Sequence, residues 1–378
     1  MFNPEYPAFP VVALLAAILA MIPLPWHFQA WNSGTCLFMA WSFTGCLNLA
    51  VNAIVWHADA IDRAPVWCDI SSRIIVAVGV GIPASSLCIN RRLYKIASVR
   101  CVSMTRAEKR RACLVDIAIA LGIPLLQLVA YFIVSGHRYD IYEQIGCYPY
   151  IYNTPLAFPL VYVWPIVIGL CSAVYCILSL RAFAMRRAQF NEFLAASSSL
   201  TIARYFRLMA LSTIELLCTT PIAVYGLYLN SISPIYRWIS FADTHFGYSR
   251  VDQVSAVFWR TSHTAIITFE LGRWSTVFCA LVFFVLFGFA DEARRNYRKV
   301  YFPIHAVWRR GFCSKSVSPS SRLDSKPTSP MTSASAGSLT VFTPAKASSM
   351  KELHSFSSNH VEFPVSLSPP LSPASTLL

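Results

Sequence analysis

The sequence contains few charged residues. Only 13% of its 378 residues are Asp, Glu, Lys or Arg, whereas an average soluble domain contains about 25%. Residues 6–58 contain none of these four residue types, and 56% of the chain is hydrophobic. A soluble globular protein, a disordered chain and a small disulfide-rich domain are excluded by this composition. It indicates instead a helical protein that crosses a membrane several times.

Long stretches without charge predict where the chain crosses the membrane. A helix needs about 20 mostly apolar residues to span the hydrocarbon core. We predict an all-α bundle of seven transmembrane helices at about residues 7–24, 34–56, 70–96, 113–135, 157–180, 205–230 and 274–290. The apolar run at 261–269 is too short to cross by itself and is followed by Glu270, so it is expected to lie in a loop.

The orientation of the bundle follows from the positions of the basic residues, which resist translocation. With the N-terminus outside, 24 of the 31 Lys and Arg residues lie on the inner side, in the 91–111 and 181–207 loops and after residue 290. The sequence therefore predicts an outer N-terminus and a cytoplasmic C-terminus. The net charge of +13 then marks the inner face of a membrane protein, and no nucleic-acid partner is expected.

Missing residues also exclude several membrane functions. No lysine occurs between Lys109 and Lys299, so a retinal Schiff base in the last span is excluded. The histidines fall in loops or at span edges, so we expect no metal site, no cofactor and no enzyme. Transporters usually carry several ionisable groups at mid-depth, and only Glu215 qualifies here. A small-solute transporter or channel nevertheless stays open as an alternative.

Glu215 and Pro221 are the candidate switch residues of the sixth span. A carboxylate inside the membrane is a functional candidate. The proline six residues later permits a hinge because it deletes a backbone hydrogen bond. The alternative for Glu215 is a hydrogen-bonded packing residue. On the second span, Asn48 and Asn52 lie one turn apart, and they could equally join helices or contact a ligand.

Two of the twelve cysteines lie in predicted outer segments. Cys68 lies at the outer end of the third span and Cys147 in the loop between the fourth and fifth. Because an oxidising exterior favours pairing, we predict a disulfide that ties this loop over the bundle. The alternative is two free thiols near the interface. Most other cysteines fall inside spans, where cysteine behaves as a small hydrophobic residue.

Basic residues are concentrated at the inner ends of particular helices. The preference of basic residues for the inner side of a membrane explains most of them. Their position also suits docking of a cytoplasmic partner with acidic groups. The candidates for this contact are Arg91, Arg92, Lys95, Arg181, Arg204 and Arg207.

The last part of the chain has a different composition. Residues 291–312 mix basic and aromatic residues and are predicted to form an amphipathic segment on the inner membrane lipids. Residues 313–378 are rich in Ser and Pro and are predicted to be a disordered cytoplasmic tail. Ser/Thr-Pro steps in it are candidate phosphorylation sites. Cys313 is either palmitoylated or an unmodified thiol.

Several sequence blocks together resemble one family. They are residues 67–70, 87–93, 136–149, 204–209, 273–274 and 283–293. In this order and with seven spans, they are similar to the fungal receptors for lipid-modified mating pheromones. These are the a-factor receptor type of class D G-protein-coupled receptors, here in a basidiomycete-like form. Ser135 departs from the glutamine expected before Gly136.

The resemblance implies a plasma-membrane receptor and not an enzyme. Such receptors bind a short farnesylated, carboxymethylated peptide on the outer side, activate the α-subunit of a heterotrimeric G protein and feed a MAP-kinase mating response. A second copy of the receptor is a further candidate partner. The polar end of the pheromone pocket would use Asn52, Arg73 or Tyr148.

Overall fold

Seven long helices form the framework of the protein in a computed structural model. The structure describes residues 6–98, 105–185, 202–289 and 293–294, without the side chains of residues 202 and 204. The helices are Ala8–Gln29, Ser33–Val55, Pro65–Ser98, Arg106–Val134, Phe158–Met185, Ile202–Ile232 and His263–Gly288. Each is long and apolar enough to cross a membrane. The chain divides into units 1–315 and 316–378, and the second unit lies outside the described residues, as does almost all of the 291–312 segment.

The seventh helix corrects the expectation for residues 261–269. These residues were expected in a loop, but the helix begins at His263 and runs to Gly288. Glu270 does not end it, because its carboxylate accepts a hydrogen bond of 2.7 Å from Nε of Arg273, one turn later on the same helix. The pair neutralises both charges, so the apolar run on either side forms one span of 26 residues.

Prolines interrupt two of the helices. The fourth consists of Arg106–Ala120 and Gly122–Val134, with the break just before Pro124. The fifth opens with a π-helical turn, Phe158–Tyr162, directly ahead of Pro165. Proline lacks the N–H that continues the helical hydrogen bonds, so each break lies within one turn of its proline. Pro83 and Pro221, by contrast, lie inside continuous helices.

The third helix is the centre of the bundle. In the most apolar stretch of this helix, 72% is buried, against 28–50% in the corresponding stretches of the other six helices. It packs against the second, fourth, fifth and sixth helices. Small residues permit such close packing between helices. A Cβ added at Gly169 of the fifth helix, for example, would lie 2.4 Å from Oγ1 of Thr220 in the sixth.

The outer loops form a small sheet that the sequence analysis treated as irregular loops. Strands β1 (Tyr139–Tyr142) and β2 (Gly146–Tyr148) form an antiparallel hairpin, and β3 (Val251–Val254) pairs with β1 in parallel. The order is β2-β1-β3. Residues 144 and 146 have positive φ angles of 75° and 91°, which a tight turn requires. The sheet thus joins the loop before the fifth helix to the loop before the seventh.

Candidate functional site

A cavity of about 270 Å³ lies inside the bundle, directly beneath the β1–β2 hairpin. The second, third, fifth, sixth and seventh helices contribute to its walls, and Ile145 and Tyr148 of the hairpin cover it. The lining is mainly aliphatic, and the polar side chains that reach it include Asn48, Thr219 and Arg273. A concave, mostly apolar space with a few fixed polar groups is typical of a ligand site.

The cover of this cavity is attached to the bundle by a disulfide and by aromatic contacts. Cys147 of β2 forms a disulfide with Cys68 of the third helix, and both residues are fully buried. Tyr148 packs its ring edge-on against Phe269 of the seventh helix, at 5.0 Å between ring centroids, and Phe269 contacts Trp259 at 5.4 Å. The disulfide and this aromatic cluster together hold the hairpin over the outer end of the cavity.

Of the three candidate ligand residues, Tyr148 lines the cavity and Asn52 does not. Asn52 Nδ2 donates to Ser71 Oγ at 2.9 Å and to the carbonyl of Cys147 at 3.3 Å. Its Oδ1 accepts from Trp67 Nε1 at 2.9 Å. All of its polar contacts are therefore internal, and Asn52 positions the hairpin. Asn48, one turn away, is the asparagine that faces the cavity.

Arg73 also lies away from the cavity lining. Its guanidinium contacts the Asp69 carboxylate at 3.2 Å and the Tyr248 hydroxyl at 3.4 Å, on the outer surface. Arg138 of the hairpin segment pairs with the same carboxylate, and this hydrogen bond raises the pKa of Arg138 above its ordinary value. Asp69, Arg73 and Arg138 form a half-exposed outer ion cluster that joins the third helix to the outer loops.

Arg273 is the cation that does line the cavity, and the sequence analysis missed it. Its side chain is buried, pairs with Glu270, and lies 4.3 Å from the centroid of the Phe9 ring. The predicted seventh span began at residue 274, so Arg273 was placed outside the membrane. A span that began earlier would have made it a charged residue inside the bilayer, which is the usual sign of a functional site.

Glu215 lies just below the cavity. It is 2% exposed, and its Oε1 accepts a 2.7 Å hydrogen bond from Oγ1 of Thr219, a residue that lines the cavity. The carboxylate also lies beside the hydroxyl of Ser86 in the third helix. Pro221 lies six residues later, nearly two turns along the helix, and is exposed on the outside of the sixth helix. The two candidate switch residues therefore face different sides of that helix.

Asn90 joins three helices one turn further inward. Its Nδ2 donates to Ser172 Oγ of the fifth helix at 2.8 Å, and its Oδ1 accepts from Ser212 Oγ of the sixth at 2.7 Å. Asn90 is fully buried, so these are its available partners. In the sequence, Asn90 is part of the block 87–93 that carries the family resemblance. An amide at the inner end of a central span was the missed signal.

The basic residues at the inner ends fall into two groups. Arg91 forms a 2.6 Å ion pair with Asp116 of the fourth helix, whose carboxylate also accepts from Ser33 Oγ. Arg92 donates to the carbonyl of Trp31, and Arg207 lies over the Phe287 ring. Lys95 and Arg181, in contrast, are exposed. The side chain of Arg204 lies outside the described part of the chain.

One group of side chains in the described residues has the spacing of metal ligands. His137, Asp140 and Asp252 place ligand atoms within 4.8 Å of one another in the outer sheet. The Arg250 guanidinium, however, lies 2.9 Å from Asp252 and 3.4 Å from His137 Nδ1. A cation of the protein itself thus already contacts two of these three side chains.

Comparison with known proteins identifies the family. Residues 8–306 match the STE3 family model, described as pheromone A receptor. The chain is 52% identical over 298 residues to the pheromone B alpha 3 receptor of Schizophyllum commune, covering 79% of this chain and 48% of that protein. It is 35% identical to pheromone receptor 1 of Ustilago hordei, covering 76% and 81%.

A more distant relative is the pheromone a factor receptor of Saccharomyces cerevisiae, at 27% identity over 76% of this chain and 60% of that protein. The chain spans about half the length of the Schizophyllum relatives that it matches. None of these relatives bears the name of a transporter or channel. With seven helices that can cross a membrane and a match over most of its length, the chain belongs to the STE3 pheromone A receptor family.

Proposed function

We propose that this protein is a receptor of the plasma membrane that binds a peptide pheromone on its outer side and activates a heterotrimeric G protein on its inner side. Its relatives are named as pheromone receptors, which supports the outer ligand. A farnesyl group on that peptide, the G-protein α-subunit as the inner contact, a MAP-kinase response and a receptor homodimer are finer parts of the same proposal.

The outer cavity is the observation that carries the proposal. Its walls are mainly aliphatic, and the disulfide-held hairpin covers it. An alkyl chain that moves from water into such a space gains about 0.8 kcal/mol for each buried CH₂ group. The cavity therefore suits the lipid chain of a modified peptide. Asn48, Tyr148 and Arg273 would meet the polar part of the ligand.

A ligand in this cavity could act on the inner side through the sixth helix. Thr219 lines the cavity and donates to Glu215, which faces the third helix. Further inward, Asn90 holds the third, fifth and sixth helices together. A ligand that binds one arrangement of these contacts more tightly shifts the population toward it. In this scheme Glu215 is the switch and Pro221 permits the sixth helix to bend.

Of the basic residues expected to dock a cytoplasmic partner, Lys95 and Arg181 are exposed on the inner side. Arg91 is paired with Asp116, so it would reach the G protein only after that pair opens. Arg92, Arg204 and Arg207 complete the proposed contact. Acidic side chains or a C-terminal carboxylate on the α-subunit would be the matching groups.

Two glycines permit a direct test of the cavity. A Cβ added at Gly79 or Gly272 meets no atom within 4 Å, and both residues line the cavity. We expect Gly79→Leu and Gly272→Leu to raise the concentration of a farnesylated peptide needed for half-maximal G-protein reporter activity at least about tenfold. Each new side chain would displace at least about two CH₂ groups of the lipid chain. Surface display should not change.

Gly122→Leu is the matched control. Gly122 also has open space around its Cα and lies in a spanning helix, but away from the cavity. Its dose-response curve should match that of the unchanged receptor. Normal responses in both cavity variants would place the ligand elsewhere. A receptor that responds to no lipid-modified peptide, or equally to peptides without lipid, would contradict the proposed function itself.

A further inference from the structure

The chain between the sixth and seventh helices contains a segment that runs along the outer ends of neighbouring helices. We call residues 233–246 the strap. At its start, Asn153 Nδ2 donates to the carbonyls of Asn230 and Pro234 at 2.9 and 3.0 Å, and Tyr236 N–H donates to the Asn153 carbonyl at 2.9 Å. The strap is thus attached to the loop that precedes the fifth helix.

The far end of the strap is attached to the fourth helix. A ring nitrogen of His245 lies 2.9 Å from the carbonyl oxygen of Phe132. The rings of Phe241 and His245 stack at 3.9 Å and both contact the Phe132 ring. Phe132 lies inside the spanning helix Arg106–Val134. The strap is therefore attached to the last turn of the fourth helix, at its outer end.

The outer side of the strap is apolar. Its exposed large side chains are Ile235 at 49%, Tyr236 at 52%, Ile239 at 68%, Phe241 at 47% and Phe246 at 90%. A soluble surface rarely leaves so many large apolar side chains exposed together. Arg237 and Asp243 are the charged residues among them and are also exposed. This mixture of aromatic, aliphatic and charged groups is typical of the boundary between membrane and water.

The apolar side of the strap continues surfaces that already face lipid. On the sixth helix, Tyr228 and Ile232 are 57% and 63% exposed just before the strap begins. On the fourth helix, Val129 and Phe132 are 65% and 43% exposed where it ends. Lipid must cover these exposed residues of the spanning helices. Because the strap joins these two surfaces along the outer ends of the helices, the lipid that covers them adjoins the strap.

We propose that the strap lies in the outer leaflet of the membrane, with Ile239 and Phe246 inserted among the lipid chains. Its partner is the interfacial region of the bilayer. The charged heads of Arg237 and Asp243 stay at the level of the lipid headgroups. The strap is then a lipid-embedded part of the outer surface, beside the sheet that covers the cavity.

Chemical labelling of single cysteines in intact cells tests this placement. Phe246→Cys and Ile239→Cys place thiols at positions where the natural side chain is largely exposed. Asp59→Cys, in the exposed first outer loop, is the control. With a membrane-impermeant maleimide, we expect the two strap thiols to react at least about tenfold more slowly than the control. The water-soluble reagent does not enter lipid, and a thiol in apolar surroundings stays protonated and unreactive.

The unchanged receptor gives the background from its natural cysteines, and an outer epitope tag checks that each variant reaches the surface. Equal labelling rates for the strap and the control would overturn the proposal. Slow labelling could also arise from a second receptor copy. A fluorophore at residue 246, in nanodiscs that hold one receptor, should therefore be quenched by lipids brominated near the glycerol end of their chains. Absence of quenching would refute lipid as the partner.

Discussion

The outer and inner halves of the bundle are held together by different kinds of contact. The outer half has a disulfide, a three-stranded sheet and the half-exposed outer ion cluster. The inner half has the buried Arg91–Asp116 pair and the hydrogen bonds of Asn90. A disulfide opens only with a reductant, whereas hydrogen bonds and ion pairs can exchange partners during a conformational change. We infer that the outer half keeps its shape and the inner half rearranges on activation.

Removal of the disulfide is the most severe test of the outer half. Cys68 and Cys147 are 79 residues apart, and a bridge across a loop of that length stabilises a fold by about 4 kcal/mol. We expect Cys68→Ser to abolish most surface display and to lower the unfolding temperature of the solubilised receptor. Cys218→Ser, which removes a free thiol of the sixth helix, should leave both unchanged. Normal display of the first variant would contradict a rigid outer half.

The Arg91–Asp116 pair tests the inner half. The Asp116 and Arg91 side chains are 3% and 15% exposed. Asp116→Asn would leave a largely buried cation without its counter-charge, at a cost of about 3 kcal/mol. Conformations that expose Arg91 should then become more populated. We expect several-fold higher G-protein reporter activity without ligand, at normal surface display.

A second change provides the control for this prediction. Arg91→Met in the Asp116→Asn background removes the unpaired charge and should bring ligand-free signalling back toward its original level. If Asp116→Asn alone leaves ligand-free signalling unchanged, the pair is only a packing contact. The inner half would then be as fixed as the outer half, and the contrast between them would fail.

The sequence was sufficient for the spans but not for the contacts between them. The position of a span depends on the length of an uninterrupted apolar run, which is visible in the sequence itself. The predicted start of the seventh helix was wrong, because Glu270 was treated as a free charge. Its carboxylate pairs with Arg273 one turn away. The sheet was missed because its strands have only three or four residues and because β3 pairs with β1 across more than a hundred positions.

Site residues were predicted least well where the choice depended on the direction of a side chain. Asn48 and Asn52 are the same residue type one turn apart, yet one faces the cavity and the other binds the hairpin. Arg73 was selected and Arg273 was not, although both lie within three residues of a predicted outer end. Which of them reaches the cavity depends on how the helices are rotated and packed, and that is a property of the whole bundle.

Glu215 lies between the two halves, so changes there show to which half it belongs. Its carboxylate accepts from Thr219 at 2.7 Å. Glu215→Gln keeps an acceptor in the same place, whereas Glu215→Leu removes it. A lost buried hydrogen bond is worth about 1 kcal/mol, or about fivefold in binding. We expect the leucine variant to need about five times more pheromone for half-maximal reporter activity, and the glutamine variant to stay within about twofold.

The second readout is ligand-free signalling. If Glu215 belongs to the outer half, the leucine variant should change only the pheromone concentration needed for half-maximal reporter activity. A rise in ligand-free signalling would assign it to the inner half, with Asn90 and Arg91. Equal losses in both variants would indicate that the charge matters rather than the hydrogen bond. Normal curves for both would make Glu215 a packing residue, and the link between the cavity and the inner contacts would have to run elsewhere.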